Sequence, residues 1–141
     1  MNRVLPLMTP PSAVTTPQLP LLKEWAYDFE NERLLEVDGR MELLSGLDAL
    51  KIWAYKAVRT ELGRWPAYSA NFGSEVETLI GQPYSEAFIQ AETQRMLSEA
   101  LLASPYILAV GRVEANMDDS VLRASINFDS VYGPSNVEVS V

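Results

Sequence analysis

Three carboxylates, Glu61, Glu75 and Glu77, surround a loop that carries Trp65, Tyr68 and Phe72, and these acids have the type and setting to do chemistry. Two acids about 5–9.5 Å apart, one of them desolvated, are enough to cleave a glycosidic bond. The three rings would stack on the sugar and keep water from the acid. A simpler reading covers the same residues: Ser74 and Glu77 have the spacing of a capping box, and rings in an irregular loop commonly plug a core. Carboxylates come first because the chain contains no His and no Cys. Their absence removes Ser–His and Cys–His nucleophiles, a His general base and the Cys/His zinc sites. Asp118-Asp119 offers oxygen ligands to a hard cation, but a two-acid turn falls short of the roughly six to eight oxygens calcium takes. Turn chemistry accounts for both residues, and no metal or cofactor is expected.

The elements that must hold these residues fit one domain, since 141 residues is a usual single-domain length and 48% hydrophobic residues can fill a core. The 19 Asp and Glu against 11 Lys and Arg leave a net charge of −8, the wrong sign for a nucleic-acid partner. No apolar stretch approaches the roughly 18 residues of a membrane span, and the proline-broken start Met1 to Pro11 reads poorly as a signal peptide, so a soluble protein is expected. Residues 1–22 hold five of the nine prolines and form an extended arm outside a single domain over 23–141. Such an arm is either a disordered tail or, given Val4, Leu5, Leu7, Leu19, Leu21 and Leu22, a strap across a neighbouring subunit.

The domain reads as α+β. Trp25 to Phe29 alternates like a half-buried strand, and Arg33 to Val37 followed by Asp38-Gly39 predicts a tight hairpin. Ser45 and Asp48 have capping-box spacing for a helix that buries Leu47, Leu50, Trp53, Ala54, Ala57 and Val58. Ser74 and Glu77 predict a second short helix to about Ile80. Gly73 before it is expected at positive φ, so valine there should damage folding. A long helix from about Ser85 to Leu102 should bury Ile89, Thr93, Met96, Leu97, Ala100 and Leu101, with Pro105 past its end. Period two then takes over. Ile107, Ala109, Gly111, Val113 and Ala115 share one face, a turn falls at Met117 to Ser120, and Leu122, Ala124, Ile126 and Phe128 share the next inner face. Tyr132 to Asn136 predicts another turn before Val137, Val139 and Val141. The whole is an antiparallel meander with helices packed on one face.

Two surface features follow. Residues 40–64 carry five basic residues (Arg40, Lys51, Lys56, Arg59, Arg64) against three acids (Glu42, Asp48, Glu61), which reads as a solvated helix face or as a positive patch for an acidic neighbour. The strand Val137 to Val141 has no charge or proline in its last three residues, so it either pairs only within the domain or invites a strand from another chain. Removing it should then spare the fold more than assembly.

The order of features also resembles a known family. The carrying segments are Trp25-Ala26-Tyr27-Asp28-Phe29; Ala49-Leu50-Lys51-Ile52-Trp53-Ala54 with Arg59-Thr60-Glu61 after it; Tyr68-Ser69-Ala70-Asn71-Phe72-Gly73-Ser74-Glu75; a long helix with Arg95 and Ala100-Leu101-Leu102; and Pro105-Tyr106-Ile107. Over residues 22–141 the chain resembles the contractile-tail and prophage family related to the baseplate wedge subunit once called a tail lysozyme.

The resemblance implies a non-enzymatic structural protein of a contractile tail or injection-machine baseplate, of phage, prophage or bacteriocin, that links the wedge to the first sheath ring. It implies the tail sheath protein and larger wedge proteins as partners, several copies around the tail axis, and residence in the tail particle after synthesis in the host cytoplasm. Val137, Val139 and Val141 would then form the sheath-facing edge, and Tyr68, Phe72, Gly73 and Glu75 a structural loop. Relatives carry Glu-Pro-Arg where this chain has Ser104-Pro105-Tyr106. A wedge junction would form there with Arg59, Arg64 and Trp65, in hydroxyl and aromatic rather than charged character. Against this stand a cell-wall glycosidase using a Glu near the aromatic loop, and a small adaptor or inhibitor domain unrelated to tails.

Overall fold

The computed structural model describes residues 18–67 and 69–141, so residues 1–17 of the expected arm and Tyr68 lie outside the described residues. The architecture is α+β. Six short strands come first: β1 (Lys23–Trp25), β2 (Tyr27–Asp28), β3 (Arg33–Leu34), β4 (Glu36–Val37), β5 (Arg40–Met41) and β6 (Leu43–Ser45). Helix α1 (Leu47–Arg59), a 3-10 turn Val76–Leu79 and helix α2 (Glu86–Leu102) follow, and then β7 (Ile107–Asp118), β8 (Val121–Ser130) and β9 (Gly133–Ser140). The last three form one antiparallel sheet in the order β7-β8-β9. The first six pair in order as nested hairpins, β1 with β6, β2 with β3 and β4 with β5. The predicted Asp38-Gly39 turn closes β4 on β5, with φ of 52° and 73°, as a two-residue hairpin turn requires.

The core lies between the helices and the inner face of the three-stranded sheet. Leu122, Ala124, Ile126 and Phe128 of β8 point into it as predicted, joined by Val113 of β7 and Val137 and Val139 of β9. Helix α2 contributes the predicted Ile89, Met96, Leu97 and Leu101, with Thr93 and Ala100 buried on the same stripe. Its Ser85 is a working cap, accepting the Phe88 N–H at 3.2 Å, which satisfies one of the donors a helix start leaves over.

Tertiary partners override local spacing elsewhere. Ser45 does not cap α1; it pairs with Lys23 across β1 and β6, and the chain enters the helix through Gly46 at φ 67°. The buried face of α1 is rotated from the predicted one: Ala49, Ile52 and Tyr55 are buried, while Leu47 and Trp53 are half-buried. Ser74 does not cap the 3-10 turn; its buried hydroxyl donates to Val58 O at 2.7 Å, filling a carbonyl that the end of α1 leaves over. The buried residue here is Ala26, between β1 and β2, at 2% exposed, whereas Trp25 is 43% exposed. In β7 the predicted alternation fails at register shifts between Ile107 and Ala109 and between Val110 and Val113, which turn Ala109 and Gly111 outward. Residues 133–136 belong to β9 rather than to a turn, which is confined to Val131 and Tyr132.

Candidate assembly interface

In an antiparallel sheet every second residue exchanges its N–H and C=O with its neighbour, and the residue between points both away. Leu122 and Val141 exchange both bonds, at 2.9 and 2.8 Å, and Val139 and Val137 stand opposite Ala124 and Ile126. That phase turns the backbone N–H and C=O groups of Asn136, Glu138 and Ser140 away from β8. No strand pairs with this side of β9 among the described residues. The valines at 137 and 139 are each only 5% exposed, and Val141 is half-buried, so their side chains anchor the strand to the core. The edge itself is made of backbone. Deleting residues 137–141 would therefore remove core contacts together with the edge.

The middle of the opposite edge, from Gly111 to Ala115, is occupied. Gln94 Oε1 accepts the Val113 N–H at 2.7 Å and Gln94 Nε2 donates to Gly111 O at 3.0 Å. Gln90 Oε1 accepts the Ala115 N–H at 3.0 Å, and Gln90 Nε2 donates to Val113 O. Sequence reasoning missed both glutamines; their only signal was two amide side chains four residues apart on a helix, i and i+4.

The expected junction residues are not one surface. Ser104, Pro105 and Tyr106 line a groove of about 260 Å³ with Trp53 and Phe72, so the aromatic loop does reach the corner between α2 and β7. Ser104 and Tyr106 are buried there. The Ser104 hydroxyl accepts the Tyr106 N–H at 3.2 Å, and the Tyr106 hydroxyl donates to Pro20 O at 2.6 Å while its ring stacks on Tyr132 at 6.0 Å. The Tyr132 hydroxyl in turn accepts the Leu22 N–H at 3.0 Å, so residues 20–22 are tied to the domain. Pro105 is exposed, and beside it in sequence Leu102 and Leu108 are 49% and 65% exposed.

Arg59 lies elsewhere, in a groove of about 690 Å³ with Glu32, Tyr55, Arg123 and Glu138. Its guanidinium pairs with Glu32 and donates to the Tyr55 hydroxyl at 2.8 Å, and that bond to Tyr55 leads the causes that raise its pKa. Arg64 stands 5.4 Å over the ring of Trp65 and 3.3 Å from Glu61, on an exposed loop. With Lys56 held 3.3 Å from Glu24, three of the five basic residues in 40–64 have ion-pair partners among the described residues.

Around the loop, Phe72 meets Trp53 edge-on at 5.8 Å, and Gly73 and Glu75 line a third groove with Met96 and Ala100. Glu61, Glu75 and Glu77 are all exposed, so none has the water-excluded setting a catalytic acid needs. Asp119 takes φ 53° in the turn between β7 and β8, which is turn geometry. Among the described residues no cluster of three or more acids could hold a metal, and no helix is long and apolar enough to cross a membrane.

Among the described residues the sheet thus has part of one edge bonded to helix side chains and its other edge without a partner strand. The family model of the contractile injection system sheath initiator matches residues 23–133, and the chain belongs to this family. It is also 30% identical over 112 residues to the phage-like element PBSX protein XkdS of Bacillus subtilis (strain 168), across 79% of this chain and 76% of that protein. The chain is thus a structural component of a contractile phage-tail-like machine.

Proposed function

We propose that this chain links the baseplate wedge to the first ring of sheath subunits and that β9 receives a strand from a sheath subunit. The observation that carries this reading is the edge of Asn136, Glu138 and Ser140: backbone that no strand among the described residues pairs, on a strand whose valines are locked in the core. Adding a strand there satisfies those groups without disturbing the domain, the usual logic of β-augmentation. On the wedge side, the exposed corner of Leu102, Pro105 and Leu108 supports an apolar contact with the larger wedge proteins, since Ser104 and Tyr106 are used internally. Arg64 and Trp65 sit on an exposed loop suited to a second contact, while Arg59 is committed to Glu32 and Tyr55. In this reading several copies surround the tail axis in the finished particle, which the host cytoplasm supplies.

Proline substitution separates edge from fold. The Glu138 N–H faces away from β8, so Glu138→Pro removes an edge donor and adds bulk while leaving the β8 ladder intact. Val139→Pro breaks that ladder. In cells producing tails, Glu138→Pro should give a folded chain that enters baseplates bearing no sheath, as counted by electron microscopy, whereas Val139→Pro should give no soluble chain. Normally sheathed particles carrying Glu138→Pro would overturn strand addition at β9.

A further inference from the structure

The two ends of the sheet differ in a way that the augmentation reading leaves unexplained. β7 is also an edge strand, yet four of its outward groups, Gly111 O, Val113 N–H, Val113 O and Ala115 N–H, are bonded to Gln90 and Gln94. The phase agrees with the rest of the sheet. Leu122 is bonded to Val141, so Val121, Arg123 and Ser125 turn toward β7, where their partners are Asp118, Asn116 and Glu114. The backbone N–H and C=O groups of Val113 and Ala115 are left facing outward, while the Val113 side chain stays in the core. Each glutamine presents its oxygen to an N–H and its nitrogen to a C=O, so each side-chain amide reproduces the donor and acceptor that one strand residue turns to its neighbour.

The spacing explains why two residues of a helix can do this. Four residues of helix advance about 6 Å along the axis, and two residues of strand advance about 6.6–6.8 Å. Gln90 and Gln94, four apart on α2, therefore fall in step with Ala115 and Val113, two apart on β7. As α2 advances from 90 to 94 its contacts step back along β7, so helix and strand run antiparallel. Gln94 is itself steadied by a 3.2 Å bond to the Ser98 hydroxyl. Both glutamines are half-buried, with α2 covering the strand.

We propose that Gln90 and Gln94 are edge-closing residues: their amides stand in for a fourth strand on β7, so that an incoming strand adds at β9 and nowhere else on the sheet. The inference rests on the reading of β9 as the accepting edge and adds what makes the choice of edge unique. An initiator whose sheet accepted strands at both ends would pair with its own copies or take a sheath strand in the wrong place. Closing β7 with side chains avoids that without a proline in the strand.

Amide hydrogen exchange on the isotope-labelled full chain reads the clamp directly. Gln94→Ala should speed exchange of the Val113 N–H, and Gln90→Ala that of the Ala115 N–H, each by about tenfold, with Ile126 and Val137 unchanged. Gln90→Glu and Gln94→Glu keep the accepting oxygens and should keep both amides slow. Unchanged exchange in the alanine variants, or fast exchange in the glutamate variants, overturns the assignment, and the single variants suffice if the double one fails to fold.

Sedimentation then reads the consequence in a Glu138→Pro background, which closes β9. Adding Gln90→Ala and Gln94→Ala should produce a concentration-dependent dimer that Glu138→Pro alone does not form. A double variant with fast Val113 and Ala115 amides that stays monomeric overturns edge closing. Sheathed particles from Glu138→Pro would instead overturn the β9 reading, so the two failures are distinguishable.

Discussion

Gly73→Ala adds one methyl group at the point where the aromatic loop rejoins the end of α1, and the structure sets its cost. Gly73 has φ 117°, a region L-residues rarely enter. A Cβ there would lie 2.8 Å from Thr60 O and 2.9 Å from both the Cα and the N of Leu62. All three are backbone atoms, so no side chain can swing aside. They are also pinned: the Ser74 N–H donates to Thr60 O at 2.8 Å and the Leu62 N–H to Ser74 O at 3.0 Å. The conformation costs about 1–3 kcal/mol and the clash a similar amount, so a loss of about 3–4 kcal/mol is expected. For a domain of this size that lowers the melting temperature by about 10–15 °C.

The control is Gly39→Ala in the β4–β5 turn, at φ 73° with nothing within 4 Å of its Cβ. It bears the conformational cost alone, about 1–2 kcal/mol. Thermal melting followed by circular dichroism, with guanidinium midpoints at unchanged slope, should show Gly73→Ala losing at least twice what Gly39→Ala loses. Equal losses would refute the close-contact reasoning and leave only the φ angle as the cause.

Thr93 is fully buried on α2, and its hydroxyl oxygen has no hydrogen-bond partner among the described residues. Thr93→Val keeps the branched shape and removes a desolvated polar atom, so denaturant unfolding should show a gain of about 1 kcal/mol; a loss would mean that the hydroxyl is satisfied in solution. Asp28 is held below the ordinary carboxylate range, first by the Asn31 side-chain amide at 2.7 Å and then by the Asn31 N–H, with the Glu30 N–H and Arg33 adding to it. A folded pKa below the unfolded one stabilises above the unfolded value, and that stabilisation is lost as pH falls through the folded pKa. The melting difference between wild type and Asp28→Ala should therefore be full at neutral pH and shrink below the carboxylate range. A difference constant with pH would contradict the assignment.

Legibility followed the range of the interactions. Helix α2 was readable to the residue because its cap, stripe and stop are local: Ser85, the Ile89-to-Leu101 face and Pro105 act within a few positions of themselves. β8 was readable for the same reason, since both of its neighbours pair with it directly through short turns. Ser45 and Ser74 had the spacing of caps but found distant partners, Lys23 across a ladder and Val58 at the end of another helix. The β7 alternation fails because register shifts are set against the partner strand; Gly111, between Val110 and Val113, is the one local mark of them.

The candidate site was the least legible part, for a reason that bears on function. Val137 and Val139 were visible because their side chains alternate, but those side chains work inside the core, and the edge proposed to accept a strand consists of backbone that every residue possesses. Which edge is free is therefore decided by what covers the other one. Gln90 and Gln94 have half-buried positions on a helix whose sequence would look the same if they faced water. Only the commensurate steps of helix and strand turn them into a surrogate strand. A relative could keep every valine of the last strand and lose the preference for that edge by changing two residues some forty positions upstream, so tests for the initiating surface belong on α2 as well as on β9.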